Sequence, residues 1–287
     1  MSGFFILTIF TFSSNSLFTA FQFIHFTFSS DISTLSRITG KATQLLIKYK
    51  NVLKQSDFEK AAEIKTELHA LMKTQVDADP RNMRAFAENL REKKSYFKSL
   101  AVFDVAAVLS TDLKPPKESM SNMERCVQGM MSTCVQMLQE DATMKVLVRD
   151  HVIPLMRNAL HLIDETRQAS KKCRCLYMSW VLAHIEYSQF AAGLLEERER
   201  TLRKAISEMK DVFGSVVIKD HGRLFGRLVH NLGHVCQSTS RFNEAATLFT
   251  NAANAFKAAV DYTEEQERER DLKISEKSLK KVRRKLT

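Results

Sequence analysis

The sequence predicts an all-α protein in which antiparallel helical hairpins stack as an α-solenoid of about ten helices. Three observations indicate this fold class. The 287 residues include 8 Gly and 4 Pro, which are too few for the frequent turns of an all-β protein. From Ile32 onward, apolar residues recur at every third or fourth position, which is the spacing of amphipathic helices. One segment, residues 228–256, carries two such patterns on either side of a short polar stretch.

Start signals and apolar spacing place the candidate helices along the chain. Patterns of a hydroxyl followed three residues later by Glu or Gln begin at Ser56, Ser121 and Thr263, and each predicts a capping box at a helix start. Pro80 is predicted to take the first position of a helix that either continues to 109 or pauses near Lys94. The candidate helices cover residues 35–54, 56–72, 80–109, 121–138, 145–163, 171–190, 194–213, the two halves of 228–256, and 263–287.

Apolar stripes on these helices predict the core. The helix 121–138 carries a Met-rich stripe, which is expected to be a packed face, with an adaptable binding groove as the alternative. On helix 194–213 four residues are expected to be buried, and on helix 145–163 Pro154 is expected to kink or break the helix at Ile153. The first stripe is Met123, Cys126, Val127, Met130, Met131, Cys134, Val135 and Leu138, and the second is Leu195, Leu202, Ile206 and Met209.

The segment 228–256 predicts two tightly packed antiparallel helices. Gly233 lies inside the first helix, where Gly costs about 1 kcal/mol relative to Ala, so we expect another backbone close to it. Ser240 ends the polar stretch and is predicted to be the N-cap of the second helix. The apolar stripes are Val229, Leu232, Gly233 and Cys236 on the first helix, and Phe242, Ala245, Phe249 and Ala252 on the second.

This segment resembles the tetratricopeptide repeat (TPR), whose pattern is Trp-x2-Leu-Gly-x2-Tyr, then Ala-x3-Phe, then Pro. Here Leu232 and Gly233 match the first part, and Ala245 and Phe249 match the second. Val replaces Trp, Cys replaces Tyr, and Lys257 stands where Pro usually closes the repeat. The resemblance implies a superhelical scaffold that binds a peptide or a helix of a partner protein. The alternative is an antiparallel helix pair outside that family.

In the TPR family the first helix of each repeat lines the concave binding groove. The resemblance therefore implies that Arg227, His230, Asn231 and His234 face the partner. Arg pairs with carboxylates in a bidentate way, and Asn can hydrogen-bond an extended peptide backbone. The alternative is a solvated helix face. The carboxylate clamp of the family needs such residues on three successive repeats, and one repeat does not supply it.

The chain is predicted to comprise four parts, with a loop at 114–117 between the second and the third. Residues 1–30 contain nine of the 19 Phe and no Asp, Glu, Lys or Arg. This segment has three interpretations, which are a membrane anchor, a cleaved signal, or residues that do not belong to the natural protein. The parts are a Phe- and Ser-rich apolar segment (1–30), N-terminal helices (31–113), TPR-like hairpins (119–262) and a charged C-terminal capping helix (263–287).

Motifs of enzymes and metal sites are missing from the sequence. It contains no Gly-rich phosphate loop, no His-Glu-x-x-His, no nucleophile elbow and no calcium loop. His230 and His234 are one helical turn apart, but no third ligand lies at a matching spacing on that helix. An odd number of Cys, 5, favours a reduced intracellular protein. We therefore expect a cytoplasmic, non-enzymatic protein without metal or cofactor, with membrane anchoring and a nuclear location as alternatives.

The net charge of +10 indicates an acidic partner. We expect a protein or peptide, and the alternative is nucleic acid, for which aromatic residues free to stack on bases would be expected. At the C-terminus, Lys280, Lys281, Arg283 and Arg284 match a short nuclear-import signal. The same residues also suit the exposed face of a capping helix, because cations are favoured near a helix C-terminus. The oligomeric state is not predicted.

Overall fold

The structure is a computed structural model that describes residues 79–286 and eleven helical positions between 44 and 70. The described residues from 45 onward belong to one compact unit of the chain. The predictions for residues 1–30 and for the Ser56 capping box lie outside the described residues. No strand occurs in the described part, so the predicted all-helical character is confirmed.

Nine helices of more than ten residues follow one another between 79 and 286. Pro80 takes the predicted first position of the first helix, and the Asp79 carboxylate accepts a hydrogen bond from Arg81 N at 2.8 Å. That helix pauses as expected, because Lys94 adopts a φ of 57°. The helices are α1 (Pro80–Glu92), α2 (Tyr96–Leu109), α3 (Pro116–Glu140), α4 (Ile153–Asp164), α5 (Lys171–Ala192), α6 (Leu195–Phe213), α7 (Gly222–Ser238), α8 (Phe242–Ala258) and α9 (Glu265–Arg283).

The helix is not broken at Ile153, and the irregularity expected at Pro154 takes the form of a π-helical turn. α4 begins at that residue, and the five residues before it, Val148–Val152, form a π-helical turn. Pro154 lacks the N–H that would continue the regular ladder of hydrogen bonds, and its ring crowds the carbonyl four residues earlier. A wider turn in front of Pro154 removes that clash while the chain stays helical.

Three capping predictions in the described part are wrong. Ser121 lies inside α3, because Pro116 already takes the first position of that helix. Ser240 adopts a φ of 59°, and Arg241 is the residue before α8. α9 begins at Glu265 and its N-cap position is Glu264, so Thr263 is one residue too early to cap it. A hydroxyl three residues before Glu or Gln fits a helix interior or a loop as well as a helix start.

The hairpin of α7 and α8 is packed as closely as Gly233 suggested. A Cβ atom at Gly233 would lie 2.8 Å from the ring of Phe249, and one at Gly226 would lie 2.4 Å from the ring of Phe256. Both distances are too short for a real side chain. The close neighbour is therefore a buried aromatic ring rather than the backbone that the sequence led us to expect.

The predicted core stripes are largely buried. On α3 the Met and Cys residues of the stripe are buried, so the expectation of a packed face holds, while Val135 and Leu138 are partly exposed. On α6, Leu202, Ile206 and Met209 are buried as expected. Leu195 was expected to be buried but is 37% exposed, because it is the first residue of α6 and projects from its end.

Extensive packing joins helices that are neighbours or next neighbours along the chain. α1 packs on α2, α3 on α5, α5 on α6, α6 on α7 and α7 on α8, and α9 then covers α8 and part of α7. Val282 of α9 is fully buried, and Leu279 packs against the same core. Among residues 79–286, none of the helices has both the length and the apolar character that crossing a bilayer requires.

Candidate functional site

The four residues that the TPR resemblance placed on the partner-facing side lie together on α7. Asn231 Nδ2 donates to Glu186 Oε2 of α5 at 3.0 Å. The other carboxylate oxygen of Glu186 accepts from Arg198 Nε of α6 at 2.5 Å. Glu186 is 1% exposed and Arg198 is 7% exposed. This buried ion pair therefore joins α5 to α6, and Asn231 extends the network to α7.

Arg227 is engaged on the other side, by α9. Its Nε donates to Asp271 Oδ2 at 2.8 Å, and its Nη2 donates to Glu267 Oε1 at 2.9 Å. Tyr262 donates its hydroxyl hydrogen to the same Asp271 oxygen at 2.9 Å. Burial acts to lower the pKa of Arg227, but the charges of Asp271 and Glu267 outweigh it and the pKa is raised. The guanidinium is thus a structural cation between α7 and α9.

The two histidines belong to a chain of hydrogen bonds in which each group donates to the next. Ser275 of α9 donates its hydroxyl hydrogen to Phe249 O at 3.1 Å, so its oxygen accepts from His230 Nδ1 at 3.1 Å. His230 then carries its proton on Nδ1, and its Nε2 accepts from His234 Nε2, 3.0 Å away. The chain runs from His234 through His230 and Ser275 to a backbone carbonyl, and both histidines are neutral in it.

The pKa values of the two histidines agree with this arrangement. Burial, followed by the charges of His234 and Arg198, lowers the pKa of His230 from 6.5 to about 3. Burial and the charge of Arg198 lower the pKa of His234 to about 4. A hydrogen bond to Gln237 acts in the opposite direction and is outweighed. Protonating His230 would also direct two N–H groups at each other, because its Nε2 already accepts from His234.

Acid is therefore expected to destabilise the fold through His230 and His234. Below about pH 6.5 the unfolded chain binds protons at both positions and the folded chain does not. The free energy of unfolding is therefore highest above about pH 6.5 and falls as the pH decreases toward 4. Between pH 7 and pH 5 the expected loss is about 2 kcal/mol for each histidine. Thermal melting curves at the two pH values measure it.

The matched control is the double variant His230→Asn/His234→Gln, whose amides reach similar atoms and do not titrate. His151, whose pKa is also lowered by burial, contributes equally to parent and variant. The fall in melting temperature between pH 7 and pH 5 should be about 10 °C smaller in the variant than in the parent. An equal fall in both proteins would contradict the buried neutral pair.

The α7 residues thus lie together. Arg227, His230 and Asn231 are bound by α5 and α9, and His234 is bound by His230. That they contact a partner remains a prediction. The C-terminal cations differ from the α7 residues because they are all exposed, with the buried Val282 between them. They are Lys280, Lys281, Arg283 and Arg284. Their proposed role in nuclear import also remains a prediction.

A second candidate site, which we call the α4–α6 groove, was not predicted. It is a depression of about 550 Å³ between α4, α5 and α6. Four cations line it, in two pairs that come from different parts of the chain. Glu197 is the carboxylate among the lining residues, and the adjacent Asp150 pairs with Arg149 at 2.6 Å. The lining therefore keeps an excess of positive charge. The cations are Arg149, Arg157, Arg200 and Lys204.

The floor of the α4–α6 groove is apolar apart from the Thr201 hydroxyl and one amide. Its aliphatic lining comes from Ile153, Leu160, Leu182, Ile185 and Leu194. Gln189 also lines the groove and is 0% exposed. Neither its Nε2 nor its Oε1 has a hydrogen-bond partner within the described residues. A buried amide with both atoms unpaired lowers the free energy of unfolding, and a bound ligand that pairs with it would remove that cost.

The sequence held only a weak signal for this groove. Arg200 and Lys204 are one helical turn apart, and Arg149 and Arg157 are separated by eight residues, so each pair lies near one face of its segment. Such spacing is common on solvated helices. Only the packing of α4 and α6 against α5 brings the two pairs to one depression.

The described residues contain no group of three or more His, Cys, Asp or Glu placed to hold a metal ion. A scan of the chain against protein-family models finds no matching family, and a search of curated proteins finds no match. The function is therefore argued from the geometry of the two sites.

Proposed function

We propose that this protein is a non-enzymatic TPR-like scaffold that binds a segment of a partner protein in the α4–α6 groove. The observation that carries the proposal is the groove itself, which combines an apolar floor with four cations and an unpaired amide. Protein-binding grooves use apolar contact for affinity and a few polar groups for orientation. The acidic partner expected from the net charge of +10 suits this lining.

The order of helix packing supports a solenoid arrangement. Packing between neighbours and next neighbours is what a quasi-one-dimensional stack of hairpins requires. α9 then has the role of a cap, because it buries Val282 while its Lys and Arg residues stay exposed. We place the protein in the cytoplasm, with the nucleus as the alternative that the C-terminal cations suggest. The membrane alternative depends on residues 1–30, which lie outside the described part.

Nucleic acid is the competing partner. Its recognition as a single strand relies on aromatic side chains that stack on the bases. The residues that line the α4–α6 groove are aliphatic, charged, amide-bearing or hydroxyl-bearing, with no aromatic side chain among them. The groove therefore favours a protein partner.

The proposal is tested with the full-length chain as bait in a cell extract. Three baits are compared, which are the parent, the groove variant Arg157→Glu/Arg200→Glu, and the control variant Lys171→Glu/Lys172→Glu. The control makes the same change in net charge at the N-terminal end of α5, about 15 Å or more along the helix from Leu182. Retained proteins are identified by mass spectrometry.

We expect the parent and the control to retain the same proteins and the groove variant to lose them. Equal retention by all three baits would show that the partner binds outside the groove. Failure of every bait to retain a protein above a bead-only background would contradict the scaffold function itself.

A further inference from the structure

We propose that the ligand of the α4–α6 groove is an acidic peptide segment in which carboxylate side chains flank an apolar one. This inference rests on the proposed function and names the chemistry of the partner. The groove offers three kinds of contact, which are cations on two sides, an aliphatic floor and one buried amide. Each kind selects a different feature of the ligand.

The cations select the carboxylates. Arg149 and Arg157 belong to the α4 side of the groove, and Arg200 and Lys204 belong to α6. Arg200 is 75% exposed, and its nearest carboxylate, that of Glu197, is 3.8 Å away. An Arg this exposed with so long an ion pair can exchange it for a bidentate contact with an incoming carboxylate. Cations on two sides favour carboxylates on both sides of the bound segment.

The floor selects an apolar side chain between those carboxylates. Leu182 and Ile185 of α5 are buried, and Ile153 and Leu160 of α4 line the same depression. An apolar residue of the ligand that covers this floor is removed from water, which supplies affinity that charge alone does not provide.

Gln189 decides between a peptide and a simple anion. Its Nε2 needs an acceptor and its Oε1 needs a donor, and neither is present among the described residues. A residue of an extended peptide supplies both, because its own N–H and C=O point to the same side of the strand. A phosphodiester headgroup or an isolated ionised carboxylate supplies acceptors alone and would leave Oε1 unpaired. The amide therefore favours peptide backbone at the floor of the groove.

Fluorescence anisotropy with the full-length protein tests the inference. The probe is a labelled synthetic peptide in which Glu and Asp residues flank a Leu-Leu pair. The first reference peptide replaces the acids with Gln and Asn, and the second keeps the acids and replaces the Leu pair with Ser. We expect each reference to bind about tenfold more weakly or worse, and the probe to be released as salt rises. Inorganic phosphate and ATP serve as competitors.

Gln189→Leu separates a ligand contact from a structural role. Leu has a similar volume and leaves no buried amide unpaired, so the variant should melt at a higher temperature than the parent. It should also bind the probe peptide about tenfold more weakly. A residue needed only for packing would not raise stability and lower affinity together. Unchanged affinity in Gln189→Leu would show that the amide does not contact the ligand.

The groove variant Arg157→Glu/Arg200→Glu should lose the probe peptide, while Lys171→Glu/Lys172→Glu should bind it as the parent does. Equal binding of the acidic and the neutral peptide, or displacement by phosphate or ATP at concentrations comparable to the peptide, would overturn the inference. If the probe peptide does not bind while the bait experiment still shows groove-dependent retention, the proposed acidic peptide ligand is wrong and the scaffold function stands. If both fail, the proposed function is wrong as well.

Discussion

Replacing Glu186 with Ala is expected to lower the free energy of unfolding by about 3 to 5 kcal/mol. Glu186 accepts from Arg198 and from Asn231, and the two ions, Glu186 and Arg198, are almost fully buried. Removing the carboxylate leaves the Arg198 guanidinium inside the protein without its anion, and leaves the Asn231 amide without its acceptor. Equilibrium unfolding in urea measures the change.

The control removes both charges. In Glu186→Leu/Arg198→Met the two buried ions become apolar side chains of similar volume, which is often neutral or stabilising. We expect the double variant to recover most of the stability lost by Glu186→Ala. A loss below about 1 kcal/mol in the single variant would match an exposed ion pair and would contradict the buried junction of α5, α6 and α7.

Replacing Phe249 with Ala is expected to cost about 3 to 5 kcal/mol, the usual range for emptying a buried aromatic site. The Phe249 ring is fully buried and fills the space that Gly233 leaves on α7. The rings of His230 and His234 each lie 5.1 Å from it, measured between centroids. The substitution therefore loosens the α7–α8 hairpin and the histidine chain together.

Phe190→Ala is the matched substitution at an exposed site. Phe190 is 51% exposed, and its ring lies 4.5 Å from the Arg198 guanidinium carbon. Its loss should cost about 1 kcal/mol or less, the range of an exposed cation–π contact. Comparable losses in Phe249→Ala and Phe190→Ala would show that the α7–α8 packing is wrong.

Local signals predicted the helices of this protein well. The mid-helix Gly233 indicated a close neighbour, Pro80 marked a helix start, and Pro154 marked an irregular turn in a helix. These residues act through their own backbone or through the nearest turn, so a short stretch of sequence contains the cause. Ser240 and Thr263 were misread because their hydroxyls can satisfy several local conformations.

The polar contacts of the site could not be predicted in this way. Glu186 and Asn231 are 45 residues apart, and so are His230 and Ser275. Nothing near any of these residues in the sequence specifies its partner, because the pairing is created when whole helices pack. Arg227 illustrates the result, since a residue apt for binding a partner carboxylate is instead paired with Asp271. The α4–α6 groove depends in the same way on the packing of three helices.

Photo-crosslinking of the probe peptide locates its binding site on the protein. The Leu-Leu pair is replaced by a photo-reactive apolar residue, the complex with full-length protein is irradiated, and the attachment sites are mapped by mass spectrometry. We expect attachment to α4 and α5 around Ile153, Leu160 and Leu182, and we expect Arg157→Glu/Arg200→Glu to suppress it. Attachment around Arg227–His234 of α7, or unchanged attachment in that variant, would contradict binding in the groove.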